Sequence, residues 1–181
     1  IPLIADADTL DETVADAYHF TRRYIQQGIA GFHVEDERNP KHSKHVNGLW
    51  SIDDQQARID AARRAQRDSG QDFVIIARCD ELYTSEMGGG GTGSMDEAIK
   101  RGKAYIEAGA DVLFYPPRPD WVGDLVKGLG PNILVATMGF SVPGTAFNMA
   151  TGGWVTAAAN HLKIMRELKE TGAMPSANCV T

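Results

Sequence analysis

Asp72-Phe-Val-Ile-Ile-Ala-Arg-Cys-Asp80 is the stretch on which the fold turns. From Phe73 to Ala77 it is continuously apolar and rich in β-branched side chains, the pattern of a strand buried on both faces of a parallel sheet. It then ends abruptly in charge. The same kind of run appears at 2–5, 29–34, 111–115 and 132–136. Between the runs lie segments with helical spacing of apolar residues. Over about 11–27, Val14, Ala17, Tyr18, Thr21 and Ile25 share a face. Over about 53–68 the face is Ala57, Ile59, Ala61, Ala62 and Ala65, and over 95–108 it is Met95, Ile99, Ala104, Tyr105 and Ala108.

Helix ends carry their own signals. Thr9-x-x-Glu12 and Ser94-x-x-Glu97 read as capping boxes, and Ser51 with Asp53 and Asp54 as a weaker start. Gly28, Gly70 and Gly109 stand where a helix exit wants a left-handed residue. The alternation predicts an α/β fold with a parallel sheet. A polar stretch at 36–50 after the second run has the length of a mobile active-site loop. The glycine run 88–93 lacks the lysine of a phosphate loop and reads as a flexible connection. One domain over 1–181 is expected, closing in a terminal helical region at about 148–172.

Composition narrows the function. The 181 residues include 43% hydrophobic and 23% charged, an ordinary globular mixture. With 18 basic against 24 acidic residues, the net charge is −6, which argues against nucleic acid or an anionic membrane as the main partner. No apolar run approaches the roughly 20 residues of a membrane span. Cys79 and Cys179 are too far apart in sequence to suggest a disulfide framework, so a reducing compartment is expected, cytoplasm or an organelle matrix. Ile1 stands inside an apolar run, so the start reads as processed or truncated.

The charge at the ends of the runs is what points to chemistry. The first run leads into Asp6-Ala-Asp8, the second into Glu35-Asp36, the third into Arg78-Cys79-Asp80. In parallel strands all three sets emerge on the carboxyl-end rim, where α/β folds place their active sites. Asp6 and Asp8 point the same way in extended chain, and with Glu35 they would repel unless a cation sat among them. Hard oxygen donors of this kind favour Mg²⁺, with Mn²⁺ an alternative.

At these residues the chain resembles the isocitrate lyase and phosphoenolpyruvate mutase superfamily, in particular its 2-methylisocitrate lyase-like and carboxyphosphonoenolpyruvate mutase-like members. The matching segments are Ile4-Ala-Asp-Ala-Asp-Thr9, Gly31-Phe-His-Val-Glu-Asp36, Pro40-Lys41 with His45, the stretch Asp72–Arg78 followed by Asp80, Asp96-Glu-Ala-Ile99, and Tyr105-Ile-Glu-Ala-Gly-Ala-Asp111. The resemblance implies a (β/α)₈ TIM-type barrel, of which about five β-α units can be counted here, and a homo-oligomer, commonly a tetramer. It implies Mg²⁺ at the mouth and a small carboxylate substrate reacting through an enolate. Carried over, Asp6, Asp8 and Glu35 are the metal set, Arg78 grips substrate carboxylate beside Asp8 and Thr9, and Lys41, Ser43 and His45 belong to the catalytic loop.

Two departures bear on activity. Leu10 follows Thr9 where relatives carry Gly-aromatic-Gly, so the helix is expected to begin at once. Ser43 stands where the lyases carry a cysteine that handles protons, and a hydroxyl is a far weaker acid than a thiol. Cys79 replaces a usual threonine and reads as a small packed side chain, and His33 as a packed or hydrogen-bonded one. The leading expectation is a Mg²⁺-dependent carbon–carbon lyase of the 2-methylisocitrate or isocitrate type, acting on a 2-hydroxy di- or tricarboxylate. The alternatives are an oxaloacetate- or phosphonopyruvate-type hydrolase, decarboxylase or mutase on the same scaffold, or a catalytically silent relative.

Overall fold

The computed structural model describes residues 2–41, 48–116, 119–138, 147–149 and 169–170. The chain divides into two compact units, Ile1–Asn148 and Met149–Thr181. In the second, Lys169 and Glu170 are helical and exposed, and the rest of the expected terminal helical region lies outside the described residues.

Six strands alternate with helices: β1 (Ile4–Asp6), α1 (Val14–Gln26), β2 (Gly31–Glu35), α2 (Ile52–Ser69), β3 (Val74–Arg78), α3 (Met95–Glu107), β4 (Val112–Phe114), α4 (Pro119–Leu129), β5 (Val135–Met138) and β6 (Phe147–Met149). They form one sheet in the order β1-β2-β3-β4-β5-β6, and every pairing from β1 to β5 is parallel. An order that never reverses is that of a (β/α)₈ barrel; a doubly wound sheet would switch direction in the middle. The sequence led to a count of five strands. β6 is the one it missed, being three residues long with Asn148 at its centre.

Strand alternation sorts the side chains onto two faces. Phe32, Val34, Ile75, Ala77 and Leu113 are buried in one cluster with Ala17, Ile59, Ala61, Ala62, Ala98 and Tyr105 of the helices. The opposite face carries rows of register partners. One row is Asp6, His33, Ile76 and Val112; the next, toward the carboxyl ends, is Glu35, Arg78, Phe114 and Ala136. The second row is where charge enters the sheet.

Local signals mostly hold, with two corrections. Ser51 caps α2 by accepting from the Asp54 amide, Ser94 caps α3 by accepting from the Glu97 amide, and Gly70 closes α2 in the left-handed conformation. The Thr9-x-x-Glu12 box does not form: α1 is capped by Thr13, reciprocally with Asp16, so the helix starts at Val14. Arg58 of α2, almost wholly buried, donates to the Thr9 and Asp11 carbonyls and holds residues 9–11 as a turn. The glycine run is no loose connection either. A side chain at Gly91 would lie 2.2 Å from the Asp80 and Glu81 carbonyl oxygens, so the run lets backbone segments touch. Ser85–Met87 within this connection form a 3₁₀ turn, and Thr84 bridges Gly91.

Candidate active site

The stretch that follows β2 turns back on itself. Glu37 pairs with Leu49, the Arg38 amide donates to the Gly48 carbonyl (2.9 Å), and the Trp50 amide donates to the Asp36 carbonyl (2.8 Å). The Asn39 amide group donates to the Thr9 hydroxyl at 3.2 Å, tying this stem to the turn after β1. Lys41 is thereby carried over the strand ends. Its ammonium contacts Asp8 Oδ1 and lies 2.6 Å from Glu35 Oε1.

Glu35 is fully buried. Its second oxygen lies 3.0 Å from Arg78, whose Nε donates to Asp80 Oδ1 at 2.8 Å. Burial works against the Arg78 charge, but Asp80 and Glu35 outweigh it and hold the guanidinium above its ordinary value. Lys41 follows the same logic: burial opposes its charge, and Asp8 and Glu35 more than restore it. Burial pushes the Asp80 carboxyl up to about 7, against the pull of Arg78. The Arg78 guanidinium also lies 5.5 Å from the centre of the Phe114 ring, an apolar wall that limits screening of these pairs.

Asp8, Glu35, Lys41 and Arg78 therefore converge. Asp6 stands beside them: its Oδ1 accepts from the Asp8 amide (3.0 Å) and its Oδ2 lies 3.7 Å from His33 Nε2. Burial lowers the His33 pKa, and its ring meets Phe114 edge-on at 5.5 Å. Thr9 is buried with its hydroxyl on Asn39. Ser43 and His45 lie outside the described residues.

Sequence reasoning left two acids out of the metal set. Glu37 and Asp80, both buried, bring oxygens within 4.8 Å of one another and of Glu35, close enough to share a metal ion. A signal was there: Glu35 and Glu37, like Arg78 and Asp80, repeat the two-residue spacing of Asp6 and Asp8, which puts each pair on one side of extended chain.

Behind the strands a second network holds these residues. Asp36 is fully buried; it accepts from the Tyr105 hydroxyl (2.6 Å) and the Asp80 amide (2.8 Å), and Arg101 lies 3.4 Å away. Cys79 is buried in the same place, and burial pushes its thiol well above the ordinary range, which suits packing and not nucleophilic attack. The turn after β1 was expected to vanish into the helix. It persists as Asp8–Asp11, with positive φ at Asp8 (51°), Leu10 (53°) and Asp11 (65°), and lines a cleft of ≈240 Å³ with Phe20, Tyr24 and Asn39. Glycine's backbone is thus adopted here without glycine.

The donor set fits a hard divalent cation. All candidate ligands are carboxylate oxygens, among the described residues both Glu35 oxygens are engaged only by cations, and the Lys41 ammonium already sits where Asp8 and Glu35 meet. Among the described residues no helix is long and apolar enough to cross a membrane.

Known proteins agree with this architecture. The chain is 36% identical over 175 residues to the chloroplastic carboxyvinyl-carboxyphosphonate phosphorylmutase of Arabidopsis thaliana, covering 95% of this chain and 45% of that one. It is 34% identical over 122 residues to the isocitrate lyase of Haloferax volcanii, covering 66% and 33%. It superposes on an oxaloacetate acetylhydrolase solved with 3,3-difluorooxalacetate at a TM-score of 0.80 and 26% identity, covering 99% of this chain and 64% of that one. It spans under half the length of these two curated relatives. Residues 1–162 match the phosphoenolpyruvate phosphomutase family, and with the parallel barrel strands and their acidic rim this places the chain in the isocitrate lyase and phosphoenolpyruvate mutase superfamily.

Proposed function

We propose that the chain carries the metal-binding and carboxylate-binding part of an enzyme that breaks a bond in a small 2-oxo or 2-hydroxy carboxylate, leaving the electron pair in an enolate. The observation that carries this reading is the convergence of Asp8, Lys41 and Arg78 on the buried carboxylate of Glu35.

Asp6, Asp8 and Glu35 would hold Mg²⁺, and the bound cation would supply charge stabilisation to developing oxyanions. Arg78, fixed between Glu35 and Asp80, presents a guanidinium whose direction is set before substrate arrives, so little reorganisation is needed to meet a carboxylate. Lys41 adds a second positive group on the same side. Ser43 or His45 would move the proton. Phe114 and the apolar end of β4 keep water from one flank of the site.

Two observations favour cleavage of an oxaloacetate- or phosphonopyruvate-type substrate over the 2-methylisocitrate-type lyase reaction. Ser43 replaces the thiol that the lyase route uses. The alignment with the phosphorylmutase also runs through 95% of the chain, against 66% for the isocitrate lyase.

The test is to incubate the full chain with Mg²⁺ and, separately, oxaloacetate, phosphonopyruvate and 2-methylisocitrate, following products by NMR. Turnover of one of the first two and not of methylisocitrate is the expected result. Turnover of methylisocitrate alone would restore the lyase reading, and no turnover would favour a silent relative.

A further inference from the structure

Glu35 has no exposed surface, and a carboxylate in that position is stable only if its charge is matched. Arg78 matches one oxygen at 3.0 Å and Lys41 the other at 2.6 Å. Lys41 differs from Arg78 in what else it touches. Arg78 pairs in addition with Asp80, whereas the Lys41 ammonium bridges directly to Asp8 Oδ1. It therefore occupies the point where two of the three expected metal ligands meet. Its backbone is delivered there by the Arg38–Gly48 hydrogen bond and by the Asn39 bond to Thr9, so this is a placed group.

We infer that Lys41 is a resident counter-ion that closes the metal site in the metal-free protein, and that a divalent cation enters by expelling the lysine side chain from Asp8 and Glu35. This rests on reading Asp6, Asp8 and Glu35 as the metal ligands. A small cation bridging Asp8 Oδ1 and Glu35 Oε1 at about 2.1 Å would have to stand where the Lys41 nitrogen now stands, and two positive centres do not share that point. The two occupants exclude one another. Metal affinity is then lowered by the fraction of molecules in which the lysine is in place, and an expelled Lys41 becomes available to face an anionic substrate.

The experiment has two readouts on the full chain, neither of them activity. The first is Mn²⁺ binding, measured by electron paramagnetic resonance for the wild type, Lys41→Met, Lys41→Gln and Asp8→Asn. The lysine variants are expected to bind about tenfold or more tightly, as when a site 90% closed is opened, and Asp8→Asn at least tenfold more weakly. The second needs no variant: acylation of the Lys41 amine in the wild type, followed by peptide mass spectrometry, is expected to speed up severalfold when Mn²⁺ is added, with Lys100 on the exposed side of α3 unchanged. Mn²⁺ binding that depends on Asp8 but leaves Lys41 labelling unaltered would overturn the inference and spare the metal reading. No Mn²⁺ binding by any of the proteins would overturn both.

Discussion

At their carboxyl ends β1, β2 and β3 deliver Asp6 and Asp8, Glu35 with Asp36 and Glu37, and Arg78 with Asp80, whereas β4 and β5 run out into Phe114-Tyr115 and Ala136-Thr137-Met138. One register row shows the change of character: Glu35, Arg78, Phe114, Ala136. Half of the row is ionic and half apolar. The ionic half gathers charge at a cost, since each buried carboxylate must be matched. The apolar half supplies packing and a low-dielectric wall, with Phe114 lying against both Arg78 and His33. The two halves depend on each other unequally. Removing one charge strands its partners, while the apolar side has nothing to strand.

The sharpest way to break this contrast is Arg78→Met. It leaves Asp80 without its ion pair and Glu35 with Lys41 alone, and should destabilise the fold by about 3–5 kcal/mol, read as a shift in the denaturant midpoint. A loss below about 1 kcal/mol would mean the ionic half is no more interdependent than the apolar one. Next comes Tyr105→Phe, which removes the 2.6 Å hydrogen bond to the buried Asp36 carboxylate and should cost about 1.5–3 kcal/mol.

Smaller for each pH unit is the effect of Asp80, which Arg78, Asp36, Glu35 and Glu37 surround. Its carboxyl titrates at about 7 in the fold against 3.8 ordinarily. The folded protein therefore keeps a proton there that the unfolded chain gives up, so this contribution to stability is full below pH about 4 and is lost as pH rises through about 7. Relative to Asp80→Asn, the wild type should lose stability over that window, by at most about 1.4 kcal/mol per pH unit. A difference independent of pH would contradict the assignment. Smallest is Asp11→Gly: with φ at 65° and an exposed side chain, the substitution should relieve backbone strain and stabilise by about 0.5–1 kcal/mol in thermal unfolding.

The legible part of the molecule was what local pattern determines. β2 and β3 announce themselves because a strand buried on both faces must be continuously apolar, and the rim acids stand out because each interrupts such a run. What escaped the sequence depends on distant partners. Two threonine-acid signals compete at the start of α1, and Arg58, nearly fifty residues on, fixes Thr9 in a turn and leaves Thr13 as the cap. Glu37 joins the site because the chain folds back to Leu49, and Asp80 because the Asp36 carboxylate accepts from its amide. β6 has only three residues and a polar centre, too little for periodicity to register. The metal set Asp6, Asp8 and Glu35 came from the acids at the strand ends together with resemblance, and the cluster of Glu35, Glu37 and Asp80 from geometry; Glu35 belongs to both.

That overlap makes the decisive measurement a crystallographic one. Crystals of the full chain grown with Mn²⁺ and measured at the manganese absorption edge should show an anomalous peak bounded by Asp6, Asp8 and Glu35. A peak enclosed by Glu35, Glu37 and Asp80, or no peak at any of these carboxylates, would contradict the account.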